Sequence, residues 1–583
     1  MSIDSLSGLA AEQGLVALRP TIAGTRHVAS AGHYLAVQSA FQILEAGGNA
    51  IDAGVAAGLV MGVVQSELVN IAGVAPIILY LAERNEVLTI SGIGWWPRAV
   101  DPQIFTREYG GSIPDGVLRT VVPAAPDAWI TALMRYGTMS FSDVAAGAIG
   151  FARNGFVMYP LMAELLKTYA PGYARWPSSA DIYLPSGRPP KVGEIFVQAD
   201  LARTLQYMVD CERTAQSRGR EDGLKAARDA FYRGDIARAI VSFHEQNGGL
   251  LSMDDLADFH VGVEPAVSVK FRGTRIYSCG PWCQGPALLQ MLSMLEGVDL
   301  ASLRHNSGAY VHRLVETMKL AFADRQRYYG DPRFVEVPLR ELLSPEYCAA
   351  RCLSIGEKTV REQPLPAEEQ TLLTDEEGAL PDHRPRTMSP LDTSYVAVID
   401  SRGNVFSATP SDVSYDTPVI PGTGLCPSSR GSQSWSDPLH PSCVAPGKRP
   451  RLTPAPFLAR AGGGSFSALG TPGGDVQLQA LLQVWLNMEV FEMSPQAAVE
   501  APRFATYDFQ DSFEPHLAYP GRLNVENRFG AGDLLDLRNR GHDVALWPDW
   551  AWRAGAVCIA RQLPGGVLEA AADPRRPAYA LGR

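Results

Sequence analysis

Apolar side chains recur at helical spacing on both sides of Gly47-Gly48-Asn49 within AVQSAFQILEAGGNAIDAGVAAG (36–58). Glycine is the residue that most readily takes the left-handed conformation closing a helix, so the pattern predicts a helix, a turn and a second helix. The most apolar run, AIDAGVAAGLVMGVV (50–64), is fifteen residues long and contains Asp52, too short for a bilayer core of about 30 Å. It reads as a buried helix. IILYLAERNEVLTISG (77–92) then alternates around Glu83-Arg84-Asn85, the signature of a β-hairpin. Helical spacing dominates from there to about residue 330. In one segment Val311, Leu314, Val315, Met318 and Phe322 form a stripe that core packing explains.

Between Arg361 and Pro390 the chain is rich in Glu, Pro, Asp and Arg and poor in large apolar residues, which predicts a solvated, mobile connection. Immediately beyond, LDTSYVAVIDSRGNVFSAT (391–409) reads as a strand, a turn on Ser401-Arg402-Gly403-Asn404 and a second strand. Tyr395, Ala397 and Ile399 face one way and Val396 and Val398 the other, so both faces are apolar. A strand of that kind lies between two layers. Further strands are predicted at 465–470, 543–547 and 555–561 and a helix at about 477–490, which gives a mixed α/β or α+β class. There is no internal repeat.

With 583 residues, 46% of them hydrophobic, the chain can bury one large core or two ordinary ones. Its net charge of −11 would repel phosphate backbones and anionic lipid alike, so neither nucleic acid nor a membrane is expected as a partner. The Cys279/Cys283 and Cys348/Cys352 pairs stand four apart, as residues on one face of a helix would, without the spacing of a zinc knuckle or redox motif. Asp4, Glu12 and Gln13 interrupt the N-terminal segment, which lacks an export pattern, so a reducing cytoplasm is expected.

Common cofactor signatures are missing. There is no G-x-x-x-x-G-K-S/T, no G-x-G-x-x-G between a strand and a helix, no His-x-Glu-type metal motif and no G-x-S-x-G elbow. Gly462-Gly463-Gly464 reads as a hairpin turn. Nucleotide chemistry loses support, and no metal or organic cofactor is expected where nucleophile, base and oxyanion donors all come from the polypeptide itself. What remains is a set of hydroxyls and glycines in the last third. Thr393 opens a doubly buried strand straight after a polar connection. If the Asp392–Thr393 bond were cut, Thr393 would carry a free α-amine beside its own hydroxyl, and such an amine has a pKa of about 7.7–8.0. That is a general base near neutrality within reach of a nucleophile. On its own, the residue reads more readily as an ordinary strand threonine than as a nucleophile.

Five blocks change the balance: 36–58, 312–337 (HRLVETMKLAFADRQRYYGDPRFVEV), 391–409, 437–453 (DPLHPSCVAPGKRPRLT) and 468–475 (ALGTPGGD). Together and in this order they resemble the γ-glutamyltranspeptidase family. The resemblance implies an α+β fold, the four-layered αββα sandwich of N-terminal nucleophile hydrolases, in one precursor that cleaves itself. Residues 1–392 would be the large subunit, ending in the connection at about 361–392. Residues 393–583 would be the small one, and a dimer of such heterodimers is an assembly the family allows.

The same resemblance implies roles position by position. Thr393 matches the nucleophile, which would first attack the carbonyl of Asp392 to free the new terminus and then attack substrate. Thr409 and Ser411 match the segment whose hydroxyl hydrogen-bonds that threonine, with Ser411 in the key place. Gly473 and Gly474 match the glycine pair whose backbone N–H groups hold the oxyanion.

The departures from the glutathione-cleaving members concern substrate. Ile93, in GIGWWPRA, stands where those enzymes carry an arginine for the glutamyl carboxylate. PSSRGSQSW leaves Arg430 and Gln433 where they bind the glutamyl amine, and Leu452 and Thr453 replace two supporting serines. The pattern is similar to a branch of acylases and small-amide amidohydrolases. It implies Arg430, with Arg98 as a candidate second cation, holding the carboxylate of a compact acyl group, with Thr409, Gln433 and Thr453 beside it. The expectation is a self-processing threonine amidohydrolase acting on a small carboxylate-bearing amide. Two alternatives stand beside it: a γ-glutamyltransferase that cleaves glutathione, and an unprocessed homologue that only binds.

Overall fold

The computed structural model describes residues 17–359 and 392–583. The connection expected over 361–390 lies outside the described residues. Helices Tyr34–Glu45 and Ala50–Val64 flank the predicted turn, where Gly47 has φ +93°. Asn49 caps the second helix, and the Asp52 carboxylate returns a bond to the Asn49 N–H at 2.9 Å. Every residue of Ala50–Val64 is buried, which accounts for its all-round apolar character. Among the described residues no helix is long and apolar enough to cross a membrane.

Two seven-stranded antiparallel sheets form the centre. One runs in the spatial order Tyr579–Gly582, Val28–Ala31, Val396–Ile399, Val405–Ala408, Ile77–Leu81, Glu86–Ile90, Val263–Pro265. The other runs Ile22–Gly24, Leu568–Ala572, Cys558–Gln562, Phe466–Gly470, Phe457–Arg460, Thr274–Ser278, Val267–Phe271. Tyr395, Ala397 and Ile399 pack between the sheets against Leu458, Ala468, Cys558 and Ala570. Val396 and Val398 face outward into a core shared with the Ala50–Val64 helix. The outer face of the second sheet, with Phe457, Leu469 and Ile559, meets helices Gly285–Leu295, Gly308–Tyr328 and Val476–Glu489. The layers are therefore helix, sheet, sheet, helix, the α+β sandwich expected. Small residues between the sheets permit their approach: a Cβ added to Gly470 would sit 2.1 Å from the Tyr395 ring.

The hairpins at 77–90 and 457–470 form as expected, the second turning through Gly464 at φ +88°. Three elements differ from the expected pattern. The interval to residue 330 is not wholly helical, because Val263–Pro265, Val267–Phe271 and Thr274–Ser278 complete the edges of the two sheets. Their period-2 pattern around Arg272-Gly273 is short and flanked by long helices, so helical periodicity masked it. Asp543–Trp547 is a strand but belongs to a separate three-stranded sheet with Phe504–Thr506 and Arg522–Glu526. Cys348 and Cys352 share the helix Pro345–Leu353, whereas Cys279 and Cys283 precede the helix Gly285–Leu295. All eight thiols are free.

Register positions the chemistry. Val396–Ile399 is a central strand and pairs Val396 with Ala408 through Ile399 with Val405. Continued past its regular end, that register sets Ser394 against Pro410, whose carbonyl accepts the Ser394 N–H at 3.0 Å, and Thr393 against Ser411.

Candidate active site

Thr393 is fully buried with φ +85°, a conformation rarely adopted by a β-branched residue and costing roughly 1–3 kcal/mol. Its N–H donates to the Leu68 carbonyl at 3.1 Å, and its own carbonyl accepts from Arg576 at 3.3 Å. The hydroxyl lies 2.7 Å from Ser411 Oγ and 2.8 Å from Asp392 Oδ1, and Gln477 Nε2 approaches it at 3.5 Å. Arg430 Nη2 bonds both Ser411 Oγ and Asp392 Oδ2. The direction of this chain is fixed by its ends. Arginine only donates and a carboxylate only accepts, so Arg430 donates to Ser411, Ser411 to Thr393, and Thr393 to Asp392.

The other side of the junction is also engaged. Gly473, at φ +126°, directs its N–H at the Asp392 carbonyl oxygen, 3.3 Å away. A side chain at this φ would be strained. Gly474, at φ +55°, is anchored through its carbonyl by Gln284 Nε2 at 3.1 Å. The same amide bonds the Thr453 carbonyl at 2.8 Å, and Arg325 holds its oxygen at 2.7 Å. The glycine turn is therefore set by a buried Arg-Gln-backbone network rather than by the turn alone.

Arg430 is buried, in the one-turn helix Arg430–Gln433, with Asp412 Oδ2 3.6 Å from its Nε and Phe513 beneath its guanidinium at 5.5 Å. Burial opposes its charge, but Asp392 and Asp412 outweigh it and raise its pKa. Asp412 is fixed independently by Ser428 Oγ at 2.6 Å, Ser429 Oγ at 2.8 Å and Ser429 N–H at 3.1 Å. Burial pushes its pKa up, with Arg430 opposing. Arg98 does not join this cluster: its guanidinium sits on the surface, 3.0 Å from Asp258, which corrects its place as a second candidate cation.

The remaining expected residues gather less tightly. Gln433 Nε2 donates to Thr453 Oγ1 at 2.9 Å while Gln433 Oε1 has no partner, and the Thr409 hydroxyl is buried and unpartnered. Ile93 and Leu452 are buried apolar residues. Arg576, Gln477, Gln284 and Asp412 join the site without any expectation from the sequence, and Asp392 is singled out there only by the position of its peptide bond. No local motif marks these polar residues, whose role comes from distant elements converging. The scattered histidines include one cluster of metal-ligand type among the described residues, His312, Glu316 and His542. There His312 bonds His542 and the Gly356 carbonyl, each at 2.9 Å, and Glu316 pairs with Lys319. A cavity of about 1060 Å³ lies elsewhere, lined by His305, Phe491 and Trp550.

Next to Leu68, burial pushes the Glu67 carboxyl up to about 7, with Tyr159, 3.1 Å from Oε1, and Arg576 only partly opposing. The folded state then holds a proton that the unfolded chain releases near 4.5, so stability falls as pH rises between about 4.5 and 7. Glu67→Gln is expected to abolish a penalty on the order of 3 kcal/mol above pH 7. Its thermal midpoint should exceed wild type by roughly 2–5 °C at pH 8, the gain vanishing near pH 4.5. An equal gain at both pH values would contradict the assignment.

A family model described as Gamma-glutamyltranspeptidase matches residues 36–582. The chain belongs to the γ-glutamyltranspeptidase family. It is 30% identical over 570 residues to the glutathione hydrolase-like YwrD proenzyme of Bacillus subtilis (strain 168), covering 97% of this chain and 100% of that protein. With the acylase ACY 1 proenzyme of Pseudomonas sp. (strain SE83) it shares 31% identity, over 94% of this chain and 92% of the relative. Among solved structures, LmbA2991HD aligns with a TM-score of 0.88 at 35% identity, over 97% of this chain and all of that one. A cephalosporin acylase from Bacillus halodurans aligns with a TM-score of 0.82 at 27% identity, over 97% of both chains. Family and fold together make the chain an enzyme of the N-terminal nucleophile hydrolase type, a class that acts on amide bonds.

Proposed function

We propose that this family member is a self-processing threonine amidohydrolase that cleaves small carboxylate-bearing amides through an acyl-enzyme on Thr393. The observation that carries this reading is the loaded junction: the Thr393 hydroxyl bonded to Ser411 and Asp392, with Gly473 N–H on the carbonyl of the bond to be cut. In maturation the hydroxyl gives its proton to Asp392 Oδ1 and its oxygen attacks the Asp392 carbonyl carbon. Gly473 N–H stabilises the oxyanion. The C–N bond then breaks as the Asp392 carboxyl returns the proton to the departing nitrogen, leaving Asp392 as an ester on Thr393 Oγ and the Thr393 nitrogen as a free amine. Water hydrolyses the ester, giving a large subunit of residues 1–392 and a small one of 393–583. Release of the strained φ at Thr393 favours the forward direction.

In the mature enzyme the new α-amine replaces Asp392 as base. The Thr393 oxygen attacks the substrate carbonyl, the amine product leaves with the proton, and water releases the acid. Ser411 orients the nucleophile, and Gly473 and Gly474 serve the oxyanion. Arg430 holds the substrate carboxylate, with Thr409, Gln433 and Thr453 as neighbouring polar groups. The buried Ile93 counts against a glutamyl clamp and so against glutathione as the substrate.

Denaturing electrophoresis of purified protein tests this reading. Fragments of about 42 and 21 kDa are expected from the 62.9 kDa chain, accompanied by hydrolysis of carboxylate-bearing anilides. A permanently intact chain without hydrolysis would favour the silent binding homologue instead.

A further inference from the structure

The first carbonyl that Thr393 meets belongs to its own chain, and Asp392 occupies the site as a substrate would. Its peptide carbonyl oxygen faces Gly473 N–H at 3.3 Å, and its side-chain carboxylate faces Arg430 and the Thr393 hydroxyl. The two carboxylates at Arg430 are not equivalent. Asp412 is retained by three bonds from Ser428 and Ser429, whereas the bonds to Asp392 come from Arg430 and from the nucleophile itself. Cleavage cuts Asp392 from Thr393, so it is the carboxylate that can leave. Its departure would leave a buried guanidinium facing Asp412 alone, with Nε and Nη1 already lacking hydrogen-bond acceptors. A buried cation in that state favours a replacement anion.

Asp392 also sets the length of that replacement. Between its scissile carbonyl carbon and its carboxylate carbon lie two carbons, Cα and Cβ. That is the skeleton of a four-carbon diacid, a succinyl or α-aspartyl group. A γ-glutamyl or glutaryl group has one carbon more between the two ends. With Gly473 fixing one end and Arg430 the other, both on backbone held by buried networks, the span is built into the site.

Resting on the amidohydrolase reading above, we infer that Asp392 is an internal template and that the mature enzyme selects four-carbon dicarboxylic acyl groups on amine leaving groups. Arg430 binds the distal carboxylate where Asp392 had been. The reaction balances as hydrolysis: the acyl C–N bond breaks, the Thr393 ester forms, and water yields the free diacid and the amine.

The test uses processed wild-type protein and a matched series of p-nitroanilides carrying butyryl, malonyl, succinyl, glutaryl and γ-glutamyl groups. Expected is a kcat/KM for the succinyl compound roughly tenfold or more above the malonyl, glutaryl and γ-glutamyl compounds. It should exceed butyryl by about 10²–10³-fold, since the site would otherwise leave a charge unpaired. Succinate should also inhibit more strongly than glutarate or malonate, a readout on the unaltered protein. Glutaryl or γ-glutamyl hydrolysis equal to or faster than succinyl would overturn the length inference while leaving the threonine mechanism intact. Equal rates for butyryl and succinyl would overturn the role of Arg430. Arg430→Lys supplies a second comparison: it should narrow the succinyl-to-butyryl ratio, because an ammonium keeps the charge but loses the planar fork. An unchanged ratio would count against the inference. A wild-type chain that neither cleaves itself nor hydrolyses any member would remove the underlying reading as well.

Discussion

Thr393→Ala is expected to accumulate as a single chain of 62.9 kDa and to lose at least about 10³-fold in amide hydrolysis. On the proposed reading both losses have one origin, removal of the oxygen that would attack first the Asp392 carbonyl and then substrate. The side chain also bonds Asp392 and Ser411, so its loss leaves two buried groups short of a partner, at a cost of about 1–3 kcal/mol. Alanine relieves part of the strain of a β-branched residue at φ +85°. The fold should therefore persist, and circular dichroism should match that of wild-type precursor. Thr393→Ser, which keeps the hydroxyl, should restore cleavage in part. A Thr393→Ala protein that still split into two fragments would remove the hydroxyl from the maturation step.

Asp392→Asn is expected to slow self-cleavage by about 10²–10⁴-fold, the range for loss of a positioned general base. Before cleavage the Thr393 nitrogen is an amide and cannot accept a proton, so the base must come from elsewhere. Asp392 Oδ1, 2.8 Å from the hydroxyl, is placed to take it. Asparagine preserves size and can accept the same hydrogen bond but cannot hold the transferred proton, and it weakens the attraction to Arg430. Time courses of fragment appearance on denaturing gels measure the effect. Asp392→Glu, which retains a carboxylate at a longer reach, should cleave faster than the asparagine variant. Cleavage of Asp392→Asn at the wild-type rate would show that another group takes the proton.

Much of this site was legible in the chain because its parts lie on regular elements. Alternation over 395–399 gave the doubly buried strand, and Ser401-Arg402-Gly403-Asn404 gave the reversal that brings Ser411 across from Thr393. Gly473 and Gly474 stood out because a turn with positive φ favours glycine. What periodicity could not give was long-range convergence. Arg576 reaches Thr393 from 183 residues away, and Gln284 reaches Gly474 from 190. Nothing near either residue marks it as polar for a purpose. The motif around Arg430 predicts a grip on a substrate carboxylate, and the carboxylate this guanidinium meets in the structure is that of Asp392. Arg98, chosen as a second arginine close to the altered GIGWWPRA segment, instead pairs with Asp258 at the surface. Sequence proximity to a substituted motif carries no information about which way a long, flexible side chain turns.

The most direct test is the N-terminal sequence of the smaller fragment from fully active protein. Thr-Ser-Tyr-Val, beginning at Thr393, is the expected result. Full hydrolytic activity from material in which no polypeptide starts at that threonine would contradict the account.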